Sequence, residues 1–321
     1  MKFGIIGTNF ITERFLEGTK EIEEFHLEAI YSRTEEKGRR FAEKYGVSKV
    51  YTSLEAMAGD PEVDAVYIAS PNYCHARQSI CMLEGHKHVL CEKPAVLDSN
   101  ELKMVEETAE RNHVVFMEGM RPVHAPGFEK LQEAMTEIGQ IRGADLIYCQ
   151  YSSRYDKFKN GVIENAFNPA LGNAALMDIG VYGVHVMVGL FGMPDNIEAE
   201  SVFLENGMEG DGTLLAGYGQ MNASVRYSKI CDSHRPSEIR GEKGTILFWN
   251  VPDVRKIEVQ LRTGDCHIYE IEEKPANMYY ETVDFMNQIN GKKMKYDYLK
   301  WTKWEIQVMD QARNKAQIVF N

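Results

Sequence analysis

Short apolar runs alternate with amphipathic stretches in the first third of the chain. Almost wholly apolar runs such as 3–6 (FGII) and 65–69 (AVYIA) are typical of parallel strands that are covered on both faces. We predict strands at 3–6, 27–31, 49–51, 63–69, 88–91 and 114–117. We predict helices near 10–22, 35–45, 54–58, 73–84 and 99–111. Strands that alternate with crossover helices indicate a doubly wound α/β domain on a parallel sheet, ending near Gly119.

The pattern changes after about residue 120. A helix near 127–137 leads into a strand at 141–151, a loop rich in Asn, Gly and Pro, and an apolar Gly- and Met-rich stretch at 174–191. Strand-like runs then follow near 197–204, 213–219, 222–230, 237–241, 245–249, 254–261 and 266–271, and helices near 278–289 and 298–318 close the chain. Consecutive strands with little helix between them predict an α+β domain with a large, mostly antiparallel sheet. We expect two domains, 1–119 and 120–321, packed with a cleft between them.

Charge and cysteine content exclude several classes of protein. Lys and Arg number 36 against 48 Asp and Glu, so no basic surplus exists for a nucleic-acid partner. The longest uncharged run, 179–194, is shorter than the roughly 20 apolar residues of a membrane span, and we expect no membrane partner. The apolar start meets Glu13 and Arg14 without a signal-peptide cleavage site. Six cysteines in 321 residues indicate reduced thiols, which favours a cytoplasmic location.

The segment Gly7-Thr8-Asn9-Phe10-Ile11 follows the first strand and opens a helix. Dinucleotide-binding domains of the Rossmann type carry G-x-G-x-x-G at this point, and their second glycine lets the backbone approach the pyrophosphate. Here Asn9 replaces that glycine. Asparagine tolerates positive φ better than most residues, so we expect the turn to be retained. The alternative is an ordinary turn between a strand and a helix.

The second strand ends in Tyr31-Ser32-Arg33-Thr34, with no carboxylate before Glu35. NAD-binding domains place Asp or Glu here to accept a hydrogen bond from the ribose 2′-hydroxyl. Arg33 can instead make a forked contact with a 2′-phosphate, to which Ser32 and Thr34 can donate. This pattern favours NADP(H) over NAD(H). The alternative is that Ser32 or Thr34 caps the next helix and Arg33 is a solvated charge.

Polar residues also follow the fourth and fifth strands. Because ligands of open α/β sheets bind at the carboxyl ends of the strands, we expect both segments to face the nicotinamide. The residues are Ser70, Pro71, Asn72 and His75 after the fourth strand and Glu92, Lys93 and Pro94 after the fifth. Pro94 disfavours a helical conformation at Lys93, which would hold the ammonium at the end of the strand. The alternative for Lys93 is a surface charge.

A third group of polar residues lies in the Gly-rich apolar stretch 172–185. If this stretch is α-helical, Asp178, Tyr182 and His185 occupy positions i, i+4 and i+7 and project from one face. A carboxylate, a phenol and an imidazole would then lie together. The alternative is that all three are buried polar groups with satisfied hydrogen bonds.

The ordered set of motifs resembles the Gfo/Idh/MocA oxidoreductase family. The motifs are GIIGT at 4–8, ASPN with His75, EKP at 92–94, MEGMR at 117–121 and D-x-G-x-Y at 178–182. The resemblance implies a Rossmann domain followed by an α+β domain, whose open sheet often mediates oligomers, so a homodimer or homotetramer is expected. It also implies that Lys93 lies beside the reacting carbon. The reaction implied is hydride transfer between NAD(P) and a carbinol or carbonyl carbon of a sugar, polyol or related small molecule.

Where the family's second motif commonly ends in His-x-x-Asp, this chain has Tyr182 and His185. It differs here from the inositol dehydrogenase pattern and is similar to the branch with a tyrosine acid/base, which includes glucose–fructose oxidoreductase and dimeric dihydrodiol and xylose dehydrogenases. Tyrosine is a weak base unless a cation stabilises its phenolate, and Lys93 would supply that cation. Asp178 would orient the substrate hydroxyl or the lysine, and Arg121 and His75 would bind the substrate or the nicotinamide amide.

Three further expectations complete the sequence-based interpretation. The substrate pocket would be lined by the loop 152–175, through Tyr155, Lys157, Asn165, Phe167 and Asn168. The Cys and His residues between 74 and 91 lack the tight spacing of metal ligands, so no metal is expected. The rival functions are a non-catalytic NADP(H)-binding sensor and an NAD-dependent glycosidase of the same family.

Overall fold

The structure is a computed structural model that describes residues 1–320, and its first sheet is parallel throughout. Its strands are β1 (Lys2–Ile6), β2 (His26–Tyr31), β3 (Lys49–Tyr51), β4 (Ala65–Ile68), β5 (His88–Glu92) and β6 (Phe116–Gly119). Their spatial order is β3-β2-β1-β4-β5-β6, in which the chain winds outward in both directions from β1. All four residues of β4 are buried, as expected for a strand covered on both faces. The predicted doubly wound domain is confirmed.

Five helices connect these strands: α1 (Phe10–Thr19), α2 (Glu35–Tyr45), α3 (Leu54–Ala58), α4 (His75–Glu84) and α5 (Ser99–Asn112). Local sequence explains where they begin and end. The Asp98 carboxylate caps α5 by accepting from the amides of Asn100 and Glu101 at 2.8 and 2.9 Å. Gly46 ends α2 in the left-handed conformation, with φ of +69°.

The second sheet is mostly antiparallel and has the order β14-β13-β12-β11-β7-β10-β9-β8. Its strands are β7 (Ile141–Cys149), β8 (Asn196–Phe203), β9 (Glu209–Gly217), β10 (Asn222–Ser228), β11 (Ser237–Gly241), β12 (Gly244–Phe248), β13 (Lys256–Leu261) and β14 (Cys266–Glu270). Strands β7 and β10 pair in parallel, and the neighbours on either side are antiparallel. Burial alternates along β10, where Val225 and Tyr227 are buried and Arg226 is exposed. Helices α6 (Pro126–Met135), α7 (Tyr155–Lys159) and α8 (Val181–Phe191) complete this predicted α+β arrangement.

The chain forms two compact units. The first comprises Met1–Gly119 and Lys274–Lys300, and the second comprises Met120–Glu273 and the chain from Trp301. The expected second domain, 120–321, therefore differs in the segment 274–300, which contains α9 (Met278–Ile289). This helix packs on the first unit: a Cβ on Gly18 would lie 3.0 Å from the Tyr279 nitrogen, and the rings of Phe3 and Phe285 lie 6.1 Å apart.

The last helix, α10 (Tyr298–Ala316), begins in the first unit and continues in the second. None of the helices within residues 1–320 combines the length and apolar character that crossing a membrane requires.

Candidate active site

A turn that contains Gly7 follows the carboxyl end of β1. Gly7 has a φ of +110°, and a Cβ at this position would lie 2.5 Å from the Ala69 carbonyl oxygen. Glycine is therefore required both by the backbone conformation and by the close approach to the end of β4. The Thr12 hydroxyl donates to the Gly7 carbonyl at 2.9 Å and fixes the turn. Beside it, Thr8 is partly exposed and the Phe10 side chain is 54% exposed.

Asn9 does not adopt the positive φ that its substitution for glycine suggested. Its φ is −115°, and its side chain caps α1 by accepting from the amides of Ile11 and Thr12 at 2.9 and 3.2 Å. Its amide group also donates to the Ala69 carbonyl at 2.7 Å. Asparagine is favoured here because it satisfies helix amides that otherwise need an outside partner. Those amides are the groups that a pyrophosphate accepts from in a glycine-rich turn.

Two of the three polar residues that follow β2 are exposed. Ser32 is buried, whereas Arg33 and Thr34 are exposed. Thr34 precedes α2, but within the described chain its hydroxyl caps none of the helix amides, so the capping alternative does not explain this residue. The pKa of Tyr73 is raised chiefly by a hydrogen bond with the Cys74 thiol, while the positive charge of Arg33 acts to lower it.

His75 joins the loops that follow β4 and β5. Its Nδ1 lies 2.8 Å from the Pro94 carbonyl oxygen and its Nε2 lies 2.8 Å from that of Ser70. Burial lowers the pKa of His75, and the positive charge of Lys93 acts in the same direction. Because the side chain is only 1% exposed, it supports the two loops and presents no surface to a ligand. This corrects the prediction that His75 binds cofactor or substrate.

Glu92 is also buried rather than presented to a ligand. The Tyr67 hydroxyl donates to its Oε1 at 2.6 Å, and the Tyr67 ring stacks on Phe15 with centroids 3.7 Å apart. Burial raises the pKa of Tyr67 well above its ordinary value, and the charge of Glu92 acts in the same direction. The carboxylate therefore anchors the end of β5 from within the core, which corrects its assignment as a cofactor-binding residue.

Lys93 follows at the point where the chain leaves the core. It is partly exposed, and the Lys93–Pro94 peptide bond is cis. The next amide, that of Ala95, donates to Oε1 of Glu118 at 2.8 Å, so the turn is held from both sides. The predicted residues after β4, namely Ser70, Pro71 and Asn72, are likewise partly exposed.

The Gly-rich motif of the second unit is not a single α-helix. Residues Leu176–Gly180 form a π-helical turn, and α8 begins at Val181. Because a π-turn holds more residues than an α-turn, the predicted alignment of Asp178, Tyr182 and His185 on one helix face is lost. The Asp178 side chain is 37% exposed, whereas His185 is 1% exposed, with its Nδ1 2.5 Å from Oε2 of Glu305. His185 is thus a buried polar group whose Nδ1 is held by Glu305.

Tyr182 is partly exposed and is held between two side chains. The Arg121 guanidinium lies 5.5 Å from the centre of its ring, within cation–π range. The Tyr148 ring meets it edge to face at 5.9 Å. Arg121 was predicted at the site from its motif, whereas Tyr148 was missed because strand periodicity does not indicate which ring a strand tyrosine contacts.

Asp178 forms an ion pair with Lys229, a residue that the sequence-based interpretation missed. The Nζ of Lys229 lies 2.8 Å from Oδ2 of Asp178 and donates to the Ala166 carbonyl at 2.7 Å. Lys229 directly follows β10, and a lysine at the end of a strand gives no sequence signal for burial. Only the tertiary structure brings it to the motif.

The loop 152–175 has its own aromatic core. The rings of Tyr155, Phe158 and Phe167 are mutually stacked at 5.6–6.1 Å, and Phe167 is fully buried. Phe167 therefore supports the loop, which corrects its prediction as a lining residue. Three other predicted residues make contacts within the loop. Lys157 forms an ion pair with Glu164 at 2.5 Å. The Asn165 carbonyl accepts from the Asn173 side chain at 2.7 Å, and the Asn168 side chain accepts from the Ala170 amide at 3.1 Å.

Comparisons with known proteins agree along the whole chain. The family model "Oxidoreductase family, NAD-binding Rossmann fold" matches residues 1–120, and the model "GFO/IDH/MocA C-terminal domain" matches residues 128–247. The chain is 38% identical to the scyllo-inositol 2-dehydrogenase (NADP(+)) IolU of Bacillus subtilis, over 100% of this chain and 98% of that protein. It is 33% identical to the uncharacterized oxidoreductase YgjR of Escherichia coli, over 100% and 98%.

Among solved structures, the chain is similar to the 3-ketoreductase KijD10 from Actinomadura kijaniata in complex with NADP and TDP-benzene. The TM-score is 0.86 at 21% identity, with 98% of both chains covered, which shows a shared fold. The relative that is 38% identical to this chain is named as an inositol dehydrogenase, although this chain has Tyr182 and His185 in place of the His-x-x-Asp pattern. The match over both domains and the identity over the full length show that the chain belongs to the Gfo/Idh/MocA family of oxidoreductases.

Proposed function

We propose that the chain is an NADP(H)-dependent dehydrogenase that transfers hydride between nicotinamide and a carbinol or carbonyl carbon of a polyol or sugar. The observation that carries this proposal is the presence, in a chain of this family, of Lys93, Asp178 and Tyr182 together. A relative with 38% identity is named as an NADP(+)-dependent dehydrogenase of scyllo-inositol, a cyclic polyol.

The residues of the first unit fit NADP(H). Gly7 lets the turn after β1 lie close against the end of β4, and the segment Gly7–Ile11 would hold the pyrophosphate at the start of α1. Exposed Arg33 and Thr34 would hold the 2′-phosphate, since Arg33 stands where NAD-binding domains carry a carboxylate. Residues 70–72 and Lys93 would face the nicotinamide. When bound, the nicotinamide supplies or accepts the hydride.

The side chains of the chain itself would move the proton and stabilise charge. The Tyr182 hydroxyl would exchange the proton of the substrate hydroxyl, with its ring oriented by Arg121 and Tyr148. The Lys93 ammonium would donate to the substrate oxygen, where negative charge develops. The Asp178 carboxylate, fixed by Lys229, would orient the reacting hydroxyl.

We also propose a homodimer or homotetramer that works in the cytoplasm. The outward face of the second sheet carries the side chain of Leu215, which is 56% exposed. In such an assembly this side chain would be buried against another subunit. All six cysteines are free, as expected of a reducing compartment.

The test is an absorbance assay of nicotinamide reduction with NADP⁺ and with NAD⁺ against a panel of inositols and sugars, and of NADPH oxidation against their keto derivatives. We expect turnover with a cyclic polyol or sugar and a preference for NADP⁺. Tight cofactor binding without turnover would instead support the sensor. Cleavage of a glycoside without net nicotinamide reduction would support the glycosidase. Turnover that prefers NAD⁺ would contradict the proposed cofactor.

A further inference from the structure

Lys229 is a buried cation with two acceptors in the second unit. The residue is 2% exposed, and its Nζ contacts both Oδ2 of Asp178 at 2.8 Å and the carbonyl oxygen of Ala166 at 2.7 Å. The same Nζ lies 5.0 Å from the centre of the Phe167 ring. Burying an ammonium is costly unless acceptors replace its water, so these contacts determine where the side chain lies.

The two acceptors belong to different parts of the second unit. Asp178 lies in the π-helical turn, and Ala166 lies in the loop 152–175, next to its aromatic core. The backbone of Lys229 adds a third attachment, because its carbonyl accepts from the amide of Ser152 at 2.9 Å, where that loop begins. One residue thus connects the start of the loop, the middle of the loop and the carboxylate of the motif.

The position of Lys229 is itself fixed by the sheet. It directly follows β10, and its amide donates to the Gly210 carbonyl in β9 at 2.9 Å. A flexible lysine side chain extending from a rigid strand end can therefore hold the loop and the motif in one arrangement. Its stem is ordered by burial, and its charge is neutralised by Asp178.

We propose that Lys229 is a positioning residue that fixes the Asp178 carboxylate and the loop 152–175 in a single arrangement for binding a polyol hydroxyl. This inference rests on the proposed function for the role of Asp178 in catalysis, but the anchoring of the loop does not depend on it. Lys229 acts through Asp178 and is not assigned a contact with substrate or cofactor.

The variant that tests the proposal is Lys229→Met, which keeps the stem and removes the charge. Its matched control is Lys256→Met in β13, which removes a partly exposed lysine of the same sheet that pairs with Glu258 at 2.6 Å. We expect Lys229→Met to lower kcat about 100-fold, since a displacement of about 1 Å at a catalytic group can have that effect. NADPH affinity should be unchanged, and Lys256→Met should resemble the wild type in both measurements.

A double-mutant cycle separates positioning from general destabilisation. If Lys229 acts through Asp178, Lys229→Met should reduce kcat/KM by less than threefold when Asp178 is already replaced in Asp178→Asn. Multiplicative losses in the double variant would overturn the assignment. If Lys229→Met does not fold, Lys229→Gln, which keeps an amide donor but lacks the charge, takes its place in every measurement.

Hydrogen exchange tests the anchoring independently of activity. In Lys229→Met, amides of residues 165–178 should exchange at least tenfold faster than in the wild type, while Lys256→Met leaves them unchanged. Unchanged exchange in Lys229→Met would overturn the proposal even if the wild type turned over no substrate. A wild type without turnover, together with accelerated exchange, would reject the proposed function and retain the anchoring role of Lys229.

Discussion

At the scale of single residues, Lys93 provides the most direct test of the proposed chemistry. We expect Lys93→Ala to lower kcat about 100- to 1,000-fold, because it removes a donor to an oxygen on which charge develops. NADPH affinity should remain nearly unchanged. Steady-state kinetics and titration of NADPH fluorescence measure the two effects, and Lys103→Ala, at an exposed lysine of the same unit, is the control. Equal losses of kcat and NADPH affinity would make Lys93 a cofactor-binding residue instead.

Arg33 tests the preference between the two cofactors. Arg33→Ala should weaken NADPH binding about 10- to 100-fold, since a hydrogen bond to a charged group contributes roughly 1.5–3 kcal/mol. NADH binding should change little, because NADH has no 2′-phosphate. Dissociation constants for both cofactors check this, with Arg40→Ala, an exposed arginine paired with Glu36, as the control. The assignment of the 2′-phosphate contact fails if both affinities fall equally.

For three polar residues, sequence motifs indicated an unusual position but not the role of the side chain. His75, Glu92 and His185 are unusual in apolar surroundings, and sequence motifs singled them out. Each is buried against a partner distant in sequence: the Pro94 carbonyl, the Tyr67 hydroxyl and the Glu305 carboxylate. Motif spacing cannot distinguish a polar group that faces a ligand from one that is bonded to a partner inside the protein.

At the scale of elements, a buried carboxylate holds the π-helical turn that carries Asp178. Oε2 of Glu209 in β9 accepts from the Leu176 amide at 2.8 Å, and its Oε1 accepts from the Ser201 hydroxyl at 3.2 Å. Burial raises the pKa of Glu209 to about 7, although these hydrogen bonds act in the opposite direction. The hydrophobic pattern predicted an ordinary α-helix here, because a local pattern does not reveal a hydrogen bond from a distant strand.

The raised pKa of Glu209 makes stability depend on pH. Between its ordinary pKa and about 7 the folded chain holds a proton that the unfolded chain has lost, so the free energy of unfolding falls as pH rises through this window. The loss amounts to roughly 3 kcal/mol and is complete above about pH 7. Denaturant unfolding at about pH 5 and pH 8 measures it, and Glu209→Gln should show a correspondingly smaller difference between the two.

Two comparisons isolate this effect. Burial also raises the pKa of Glu273 to about 7, and its contribution is the same in the wild type and in Glu209→Gln. Glu200→Gln, at an exposed position of β8, should keep the pH dependence of the wild type. An equal pH dependence in the wild type and Glu209→Gln would show that Glu209 does not hold its proton in the folded state.

At the scale of the whole molecule, the outward face of the second sheet leads to a prediction about assembly. Light scattering at micromolar concentration should give the mass of a homodimer or homotetramer. Leu215→Glu should lower that mass, because a charge at this position would lose its water when the face is buried against another subunit. Met104→Glu, which changes an equally exposed residue of α5 in the first unit, should leave the mass unchanged. A monomeric wild type would contradict the expected oligomer.

The grouping of elements into units also belongs to this scale. The amphipathic pattern of 278–289 correctly predicted α9, and chain order suggested that it belonged to the second half. The helix instead packs against α1, where Gly18 permits close approach of the backbones. A hydrophobic stripe indicates that a helix is packed, but it does not identify the surface against which it packs.

The sequence by itself determined most strands and helices of both units and the glycine turn after β1, because periodicity, caps and motifs are local properties. It also singled out Lys93, Asp178 and Tyr182 as candidate site residues. The tertiary structure decided which polar groups are internal, why Asn9 is a cap rather than a substitute for glycine, and that Lys229 reaches Asp178. The physical reason is that burial and hydrogen-bond partners depend on residues distant in the chain, whose approach only the folded structure determines.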